Sequence, residues 1–173
     1  PIGGGPVSPT ISVDGRTATF LDIDGDLVNV KTTVGAFDVS DFALFSLEGY
    51  AQQSAPGGAL FTRLTLDASF AGANISITAK RGSFGGDGLV NLGYLDATGV
   101  DLGIVTVKGD VGQIDAGDAT LGTPAFAKLT VQSMGDFGLA TQTGSTASNI
   151  SDLVGGAEVV IVKGDLSVLR LTG

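Results

Sequence analysis

The chain has 173 residues, 43% of them hydrophobic, and a formal net charge of −9 at neutral pH. That length fits one domain, and the hydrophobic content is well above that of a disordered chain. The absence of cysteine and histidine excludes disulfide scaffolds, the usual zinc sites and histidine-dependent nucleophile systems. The acidity argues against nucleic acid and anionic membranes as partners, and no apolar run is long enough for a transmembrane helix.

The residue types favour an all-β protein. Glycine occurs 28 times, valine, isoleucine and threonine are abundant, and Lys and Arg together number only nine. β-branched side chains fit the pleated surface of a strand, whereas glycine and aspartate fit tight turns. The composition therefore predicts short strands that are joined by many turns.

The N-terminal part of the sequence predicts an extended arm and then a small antiparallel β cap region. The arm, residues 1–13, is rich in proline and glycine and ends in a strand-like segment. The cap region is expected over residues 14–70. Its first hairpin has strands at 17–21 and 27–31 on either side of an Asp-Gly turn. Further strands are predicted at 42–47, 60–66 and 74–79, with a loop at 52–58.

The hairpin turn contains three aspartates, Asp22, Asp24 and Asp26. Hard cations such as Ca²⁺ bind carboxylate oxygens, and this alternating spacing is similar to the opening of a calcium-binding loop. The glutamate that such a loop carries at its twelfth position is replaced by Thr33. Two interpretations therefore stay open: a calcium site, and a hairpin turn with solvated carboxylates. No other cofactor is expected.

A repeated unit occupies the second half of the chain. Val105-Thr-Val-Lys-Gly-Asp-Val111 reappears as Val160-Ile-Val-Lys-Gly-Asp-Leu166, and each unit has two alternating apolar arms around a turn. Looser copies start near Ile75 and Leu129. Equivalent positions of the first arms are Ile77, Val107, Val131 and Val162. Equivalent second-arm triplets are Leu92, Leu95 and Ala97; Val111, Ile114 and Ala116; Met134, Phe137 and Leu139; and Leu166, Leu169 and Leu171.

Arms of constant length with variable loops are typical of stacked coils, and alternation at period two indicates strands with one buried face. We therefore predict a short parallel β-solenoid, or β-helix, over residues 71–173. An ordinary β-sandwich with two similar hairpins is the alternative. Polar insertions are expected at 82–88, 117–124 and 141–151. The first is glycine-rich but precedes no helix, so we expect a flexible insertion and not a phosphate-binding loop.

The repeated units, the aspartate hairpin and the segment 70–79 together resemble modules of large exported bacterial proteins. Those proteins are built from parallel β-solenoid repeats. The resemblance covers about residues 17–173. It implies a secreted or surface location and a structural or adhesive role, and it assigns no functional residues.

A second group of acidic residues lies near a predicted coil corner. It consists of Asp110, Asp115 and Asp118, and Asp165 follows one repeat later, so that Asp110 and Asp165 are expected in one column. Corner solubility and the capping of turns explain such residues, and no acid/base pair is recognisable. We therefore expect no enzymatic activity. Asn149 begins a formal glycosylation sequon in a polar loop.

The sequence finishes inside the second arm of a repeat, without a polar cap. An open apolar coil needs a cover, so we expect either a fragment of a longer protein or a second copy on that end. Docking of the open coil on the N-terminal region of the next copy is a head-to-tail contact, which gives open filaments. The residues expected at this joint are Ile11, Val13, Val168, Leu169 and Leu171.

The function expected from these features is a non-enzymatic extracellular structural protein. It would be the subunit of a self-assembling filament, sheath or surface layer, with further copies of itself as its partner. The alternative is a cell-surface adhesin or glycan-binding β-solenoid module of a larger exported protein. Aromatic residues make up only 6% and are mostly phenylalanines in strand-like segments, which favours core positions over a sugar-binding platform.

Overall fold

The computed structural model describes residues 5–46, 55–120, 122–135, 150–164 and 168–172. These residues contain strands and two 3₁₀ helices, Val39–Asp41 and Ala68–Phe70, but no α-helix, which confirms the prediction of an all-β protein. The strands are β1 Gly5–Val7, β2 Thr10–Ile11, β3 Thr17–Leu21, β4 Leu27–Thr32, β5 Phe42–Ser46, β6 Ala59–Thr65, β7 Ile75–Lys80, β8 Val90–Thr98, β9 Leu102–Gly117, β10 Phe126–Met134, β11 Ile150–Val154, β12 Val160–Val162 and β13 Val168–Thr172.

The strands form one curled sheet with two limbs, and the long strand β9 belongs to both. Residues 102–107 of β9 pair with β7 and with β10, which follows β9 around the corner to Val111, whereas residues 109–117 pair with β8 and, at Asp115 and Ala116, with β11. The first limb contains β2, β3, β4, β7, the start of β9, β10 and β12. The second limb contains β1, β5, β6, β8, the end of β9, β11 and β13.

The corner between the limbs begins at Gly109, the first of four consecutive buried residues (109–112) across which the inside-outside alternation of β9 changes phase. A Cβ atom on Gly109 would lie 1.9 Å from the carbonyl oxygen of Val90, on the neighbouring strand. Because that approach is impossible for a real Cβ atom, glycine allows successive turns of the chain to stack closely here.

The pairings divide along the chain. The antiparallel pairs each include at least one of the strands β1–β5, and the predicted hairpin of β3 and β4 is among them. The pairs among β6–β13 are parallel. The sheet as a whole is therefore mixed and curled. It is all-β, as predicted, but because it also contains antiparallel pairs it does not confirm the predicted parallel β-solenoid.

The register predicted from the repeat is confirmed. In the first limb Ile77 pairs with Val107, Val107 with Val131, and Val131 with Val162. In the second limb the triplet Leu92, Leu95 and Ala97 pairs with the triplet Val111, Ile114 and Ala116. The alternation of the side chains thus sets which residues of successive units lie side by side.

One part of the alignment is wrong. Residues 141–151 were expected to be a polar insertion, but Ile150–Val154 forms strand β11, and Leu153 pairs with Ala116. Phe137 and Leu139, which were predicted for this rung, lie outside the described residues. Leu171 of β13 pairs with Leu153 and so continues the column. Ser151 fits the interior because its hydroxyl accepts a hydrogen bond from the backbone N–H of Ile114, at 2.9 Å.

The inward sides of the two limbs share one hydrophobic core. The ring of Phe20 in the first limb lies 4.9 Å from that of Phe61 in the second, in an edge-to-face contact. Phe37 and Phe70 extend this aromatic cluster, with their centroids 5.3 Å apart. The core therefore continues across residue 70, where the boundary between the cap region and the repeats was predicted.

Candidate metal centre and open end of the sheet

The turn between β3 and β4 brings the three predicted aspartates together. Its backbone closes when the N–H of Asp22 donates to the carbonyl of Asp26, at 3.0 Å, and Gly25 there has a φ of +93°. The Asp22 carboxylate also accepts from the backbone N–H of Asp26, at 2.7 Å. One carboxylate oxygen from each of Asp22, Asp24 and Asp26 lies within 4.8 Å of the others.

Residues 82–88 are not a loose insertion, as was predicted, because they close over the aspartates. The backbone N–H groups of Gly82 and Gly88 donate to the two oxygens of Asp26, at 3.1 and 2.5 Å. The N–H of Asp87 donates to Asp24, at 3.3 Å. A Cβ atom on Gly86 would lie 1.6 Å from an Asp26 oxygen, so the glycines permit this close wrapping.

A cavity of about 210 Å³ opens beside the cluster. Asp22 and Asp24 line it together with Asp87 and Asn91, which the sequence analysis did not single out. Carboxylate and carboxamide oxygens are the ligand types that Ca²⁺ prefers. The site thus presents oxygen ligands from two separated parts of the chain, 22–26 and 87–91, and the contribution of the second part is visible only in the fold.

The carboxylates crowd each other in a poorly hydrated place. Asp26 is fully buried, and Asp22 is only 6% exposed. Burial, followed by the hydrogen bond with Asp24, raises the pKa of Asp22 to about 8. At neutral pH the metal-free cluster therefore holds a proton, which a divalent cation would replace.

We expect the metal-free protein to lose stability as the pH rises from about 4 to about 8. Asp22 titrates near 3.8 when unfolded and near 8 when folded, so between these values the folded state binds the additional proton. Each pH unit then lowers the free energy of unfolding by at most about 1.4 kcal/mol. Urea unfolding in the presence of a chelator, repeated across this pH range, measures the slope.

The substitution Asp22→Asn should flatten that slope, because asparagine keeps an acceptor oxygen for the N–H of Asp26 but does not titrate. Asp67→Asn is the control: hydrogen bonds from Ser69 lower the pKa of Asp67, so its effect is confined to acidic solution, where stability falls as the pH falls. A wild-type stability that stays level or rises between pH 4 and 8 would contradict the prediction.

The second acidic group predicted from the sequence does not form one cluster. Asp110 is 2% exposed and accepts a hydrogen bond from the hydroxyl of Ser133, at 2.7 Å. Asp115 lies on the outer face and accepts from Tyr94 and Gln113, at 2.8 and 2.7 Å. Asp118 follows at the next corner and accepts from the N–H of Thr120. Asp165 and Asn149 lie outside the described residues, so the predicted alignment of Asp165 with Asp110 stays a prediction.

The residues predicted for the head-to-tail joint lie at both ends of the sheet. Ile11 ends strand β2 and packs against the core. Val13 was predicted to be in a strand, but it lies fully exposed in the turn that follows β2. Val168, Leu169 and Leu171 belong to β13, which pairs with β11.

The sheet is open at the end formed by β12 and β13, since within the described residues each of these strands has one partner. Val160 and Val162 of β12 are half-buried, whereas their neighbours Leu129 and Val131 on β10 are completely buried. Ile161 is exposed on the outer side. The inward positions of the last described rung therefore leave the core partly uncovered.

In the described part of the chain, no helix has the length and hydrophobicity that a bilayer crossing requires. Comparison of the whole chain with protein-family models, with curated proteins and with solved structures finds no match.

Proposed function

We propose that this chain is a non-enzymatic structural protein of the cell exterior, which assembles head to tail as a short parallel β-solenoid with an antiparallel cap. The observation that carries the proposal is the open end at β12 and β13. Parallel rungs in constant register support the solenoid, because they let a further rung add by the same backbone pairing. The resemblance to exported solenoid modules supports the location.

Within the described residues β12 has no partner on the side away from β10, and that edge supplies the backbone groups for such pairing. The N–H of Lys163 donates to Val131, and the carbonyl of Val159 accepts from Leu129, at 3.2 and 2.8 Å, so these two residues face β10. Backbone groups alternate in direction along a parallel strand. The N–H groups of Val160 and Val162 therefore point away from β10, toward the edge where another strand would pair.

The opposite end of the sheet offers the complementary surface. Its edge strands are β1 and β2, each with one described partner. Pro6 in β1 lacks an N–H, which is a common protection of edge strands, whereas β2 has Thr10 and Ile11 with normal donors. A joint between β12 and the β2 edge would continue the first limb from copy to copy. Because it uses two different surfaces, repetition gives a filament.

The variant Val162→Pro should abolish this assembly. Proline removes the outward N–H, and prolines are tolerated on an edge strand whose N–H faces solvent. Val162→Ala is the matched control, because it shortens the same side chain but keeps the N–H. Analytical ultracentrifugation across a concentration series should find wild-type and Val162→Ala polymers and Val162→Pro monomers.

Equal polymerisation of both variants would contradict the β12 joint, and a wild-type protein that stays monomeric at every concentration would contradict head-to-tail assembly. That second outcome would favour a module of a larger exported protein.

A glycan-binding module is the second candidate, and one observation favours it. Phe84 on the segment that closes over the aspartates is 60% exposed, and it lies beside Gly25 of the aspartate turn. An exposed aromatic ring next to a cation site is a suitable platform for a sugar. Binding of neutral glycans that requires both Phe84 and calcium would support this function. Glycan binding that is unchanged in Phe84→Ala and in the presence of a chelator would contradict it.

We propose that Asp22, Asp24 and Asp26 bind calcium in either case. Calcium at about a hundredfold excess over its Kd should stabilise the protein by about 2.7 kcal/mol, or roughly 5–11 °C in Tm for a domain of this size. Thermal unfolding with calcium and with a chelator measures the shift. The double variant Asp22→Asn, Asp24→Asn should lose it, while Asp14→Asn, in an exposed turn, should keep it. A wild-type Tm that calcium leaves unchanged would contradict the site.

A further inference from the structure

The lysines of this chain are collected on one face. All five, Lys31, Lys80, Lys108, Lys128 and Lys163, lie on the first limb. Four belong to β4, β7, β9 and β10 at outward positions, and Lys163 directly follows β12 in the outward phase of Ile161. These strands are neighbours in the sheet, so the face carries one lysine per rung. We call these five residues the lysine face.

Acidic side chains are excluded from this face. The chain has 18 acidic residues, yet no Asp or Glu occupies an outward position of β3, β4, β7, residues 102–108 of β9, β10 or β12. The nearest in sequence are Asp22, Asp26 and Asp101, which directly flank β3, β4 and β9, and Glu158 lies two residues before β12. The lysines form no salt bridge within the described residues. Soluble surfaces normally mix both signs, so a purely positive face on a chain of net charge −9 indicates a negatively charged partner.

The positions between the lysines carry small hydroxyl side chains together with three exposed apolar ones, Leu27, Ile104 and Ile161. Ser76, Thr106 and Thr130 are directly adjacent on β7, β9 and β10 and point outward. Hydroxyls donate and accept hydrogen bonds, and their small size keeps the face flat. Such a surface suits an extended polymer that carries both hydroxyls and sparse negative charge.

We infer that the lysine face binds an anionic polysaccharide, with carboxylate, sulfate or phosphate groups on the polymer paired with the lysine ammonium groups. The rung spacing of about 4.8 Å sets one positive charge per rung, which fits a sparsely charged glycan. Duplex DNA carries roughly one charge per 1.7 Å, a density that this face does not match and that the net negative charge of the chain repels.

A second copy of the chain fits this face less well. The acids on the outer side of the second limb are Asp96, Asp115 and Asp152, in one register column. Arg63 forms a salt bridge with Asp96, and the Asp115 carboxylate accepts hydrogen bonds from Tyr94 and Gln113. Partners within the chain therefore already engage acids that another copy would offer to the lysines.

The test measures binding of the full chain to defined polymers by calorimetry at low salt, with a chelator present so that the aspartate turn cannot bridge through calcium. Polygalacturonate supplies carboxylates, dextran sulfate supplies sulfates, and unmodified dextran is the uncharged reference. We expect binding to at least one charged polymer, none to dextran, and at least a tenfold loss of affinity between 50 and 500 mM salt.

The triple variant Lys31→Gln, Lys80→Gln, Lys163→Gln should weaken that binding at least tenfold. All three side chains are exposed, so folding is expected to survive. The matched control carries arginine at the same positions, keeps the charge and should keep the binding. If the glutamine variant misfolds, the arginine variant and the salt series still test the inference. The arginine variant must keep the affinity for the charged polymer, and added salt must reduce it.

Several results would overturn the inference: no binding to either charged polymer, equal binding of the glutamine variant, or tighter binding of single-stranded DNA. A difference in sedimentation between the wild type and the glutamine variant, measured without any polysaccharide, would also overturn it. The lysine face would then contact another copy of the chain. Val162→Pro should remain a monomer and keep the affinity, so this inference and head-to-tail assembly fail separately.

Discussion

Replacing Phe61 with alanine should lower the free energy of unfolding by about 3–5 kcal/mol, through lost burial and the cavity left behind. Phe61 is 2% exposed, and its ring contacts Phe20 and Phe42, with centroids 4.9 and 5.9 Å away. These contacts join β3 of the first limb to β5 and β6 of the second. The loss should therefore destabilise the whole sheet, visible as a single shifted transition in urea.

Phe84→Ala is the matched control, since the same side chain is removed from a position that is 60% exposed. Its effect should stay within about 0.5 kcal/mol. Two separate transitions in Phe61→Ala, with the repeats of residues 71–173 unfolding as in the wild type, would contradict a continuous core. That outcome would favour the division into a cap region and a separate solenoid.

Gly109→Ala should cost about 3 kcal/mol of stability, because the new methyl group collides with the backbone of a neighbouring rung and not with a movable side chain. The Cβ atom would lie 1.9 Å from the carbonyl oxygen and 2.6 Å from the nitrogen of Val90. Strands β8 and β9 would have to separate at the corner. Urea unfolding measures the loss, and the circular dichroism of strands should stay native below the transition.

Gly5→Ala provides the comparison, because a Cβ atom on Gly5 of β1 meets nothing within 4 Å. Its effect should lie within about 0.5 kcal/mol. If both variants are equally stable, the rungs do not approach each other at Gly109, and the stacked corner would be wrong.

Local alternation made the register of the repeats predictable. Val107 and Val131 each end an apolar-Thr-Val segment, and each inward position needs an equivalent partner in the next rung to keep the core closed. Leu153 was missed because its segment lacks the Val-x-Val-Lys-Gly-Asp pattern. There the polar Ser151 faces inward, which a hydrophobic pattern does not anticipate.

The aspartate turn was predictable because its three aspartates lie within five consecutive residues and a hairpin keeps them together. The segment that closes over it was not, because Gly88 lies 62 residues from Asp26 in sequence. Nothing in the glycine-rich stretch itself indicates which buried carboxylate its N–H groups will meet. The lysine face is likewise a property of the fold, since the five lysines are scattered in sequence and share one face of the sheet only when the strands stack, at staggered positions along those strands.

We propose that the chain stacks its rungs along one axis and continues that stack into the next copy. Cryo-electron microscopy of the purified chain at neutral pH tests it most directly. We predict filaments with a repeat of about 4.8 Å parallel to the filament axis, which is the spacing of neighbouring strands. Dispersed particles at every concentration, or filaments with that spacing perpendicular to the axis, would contradict the account.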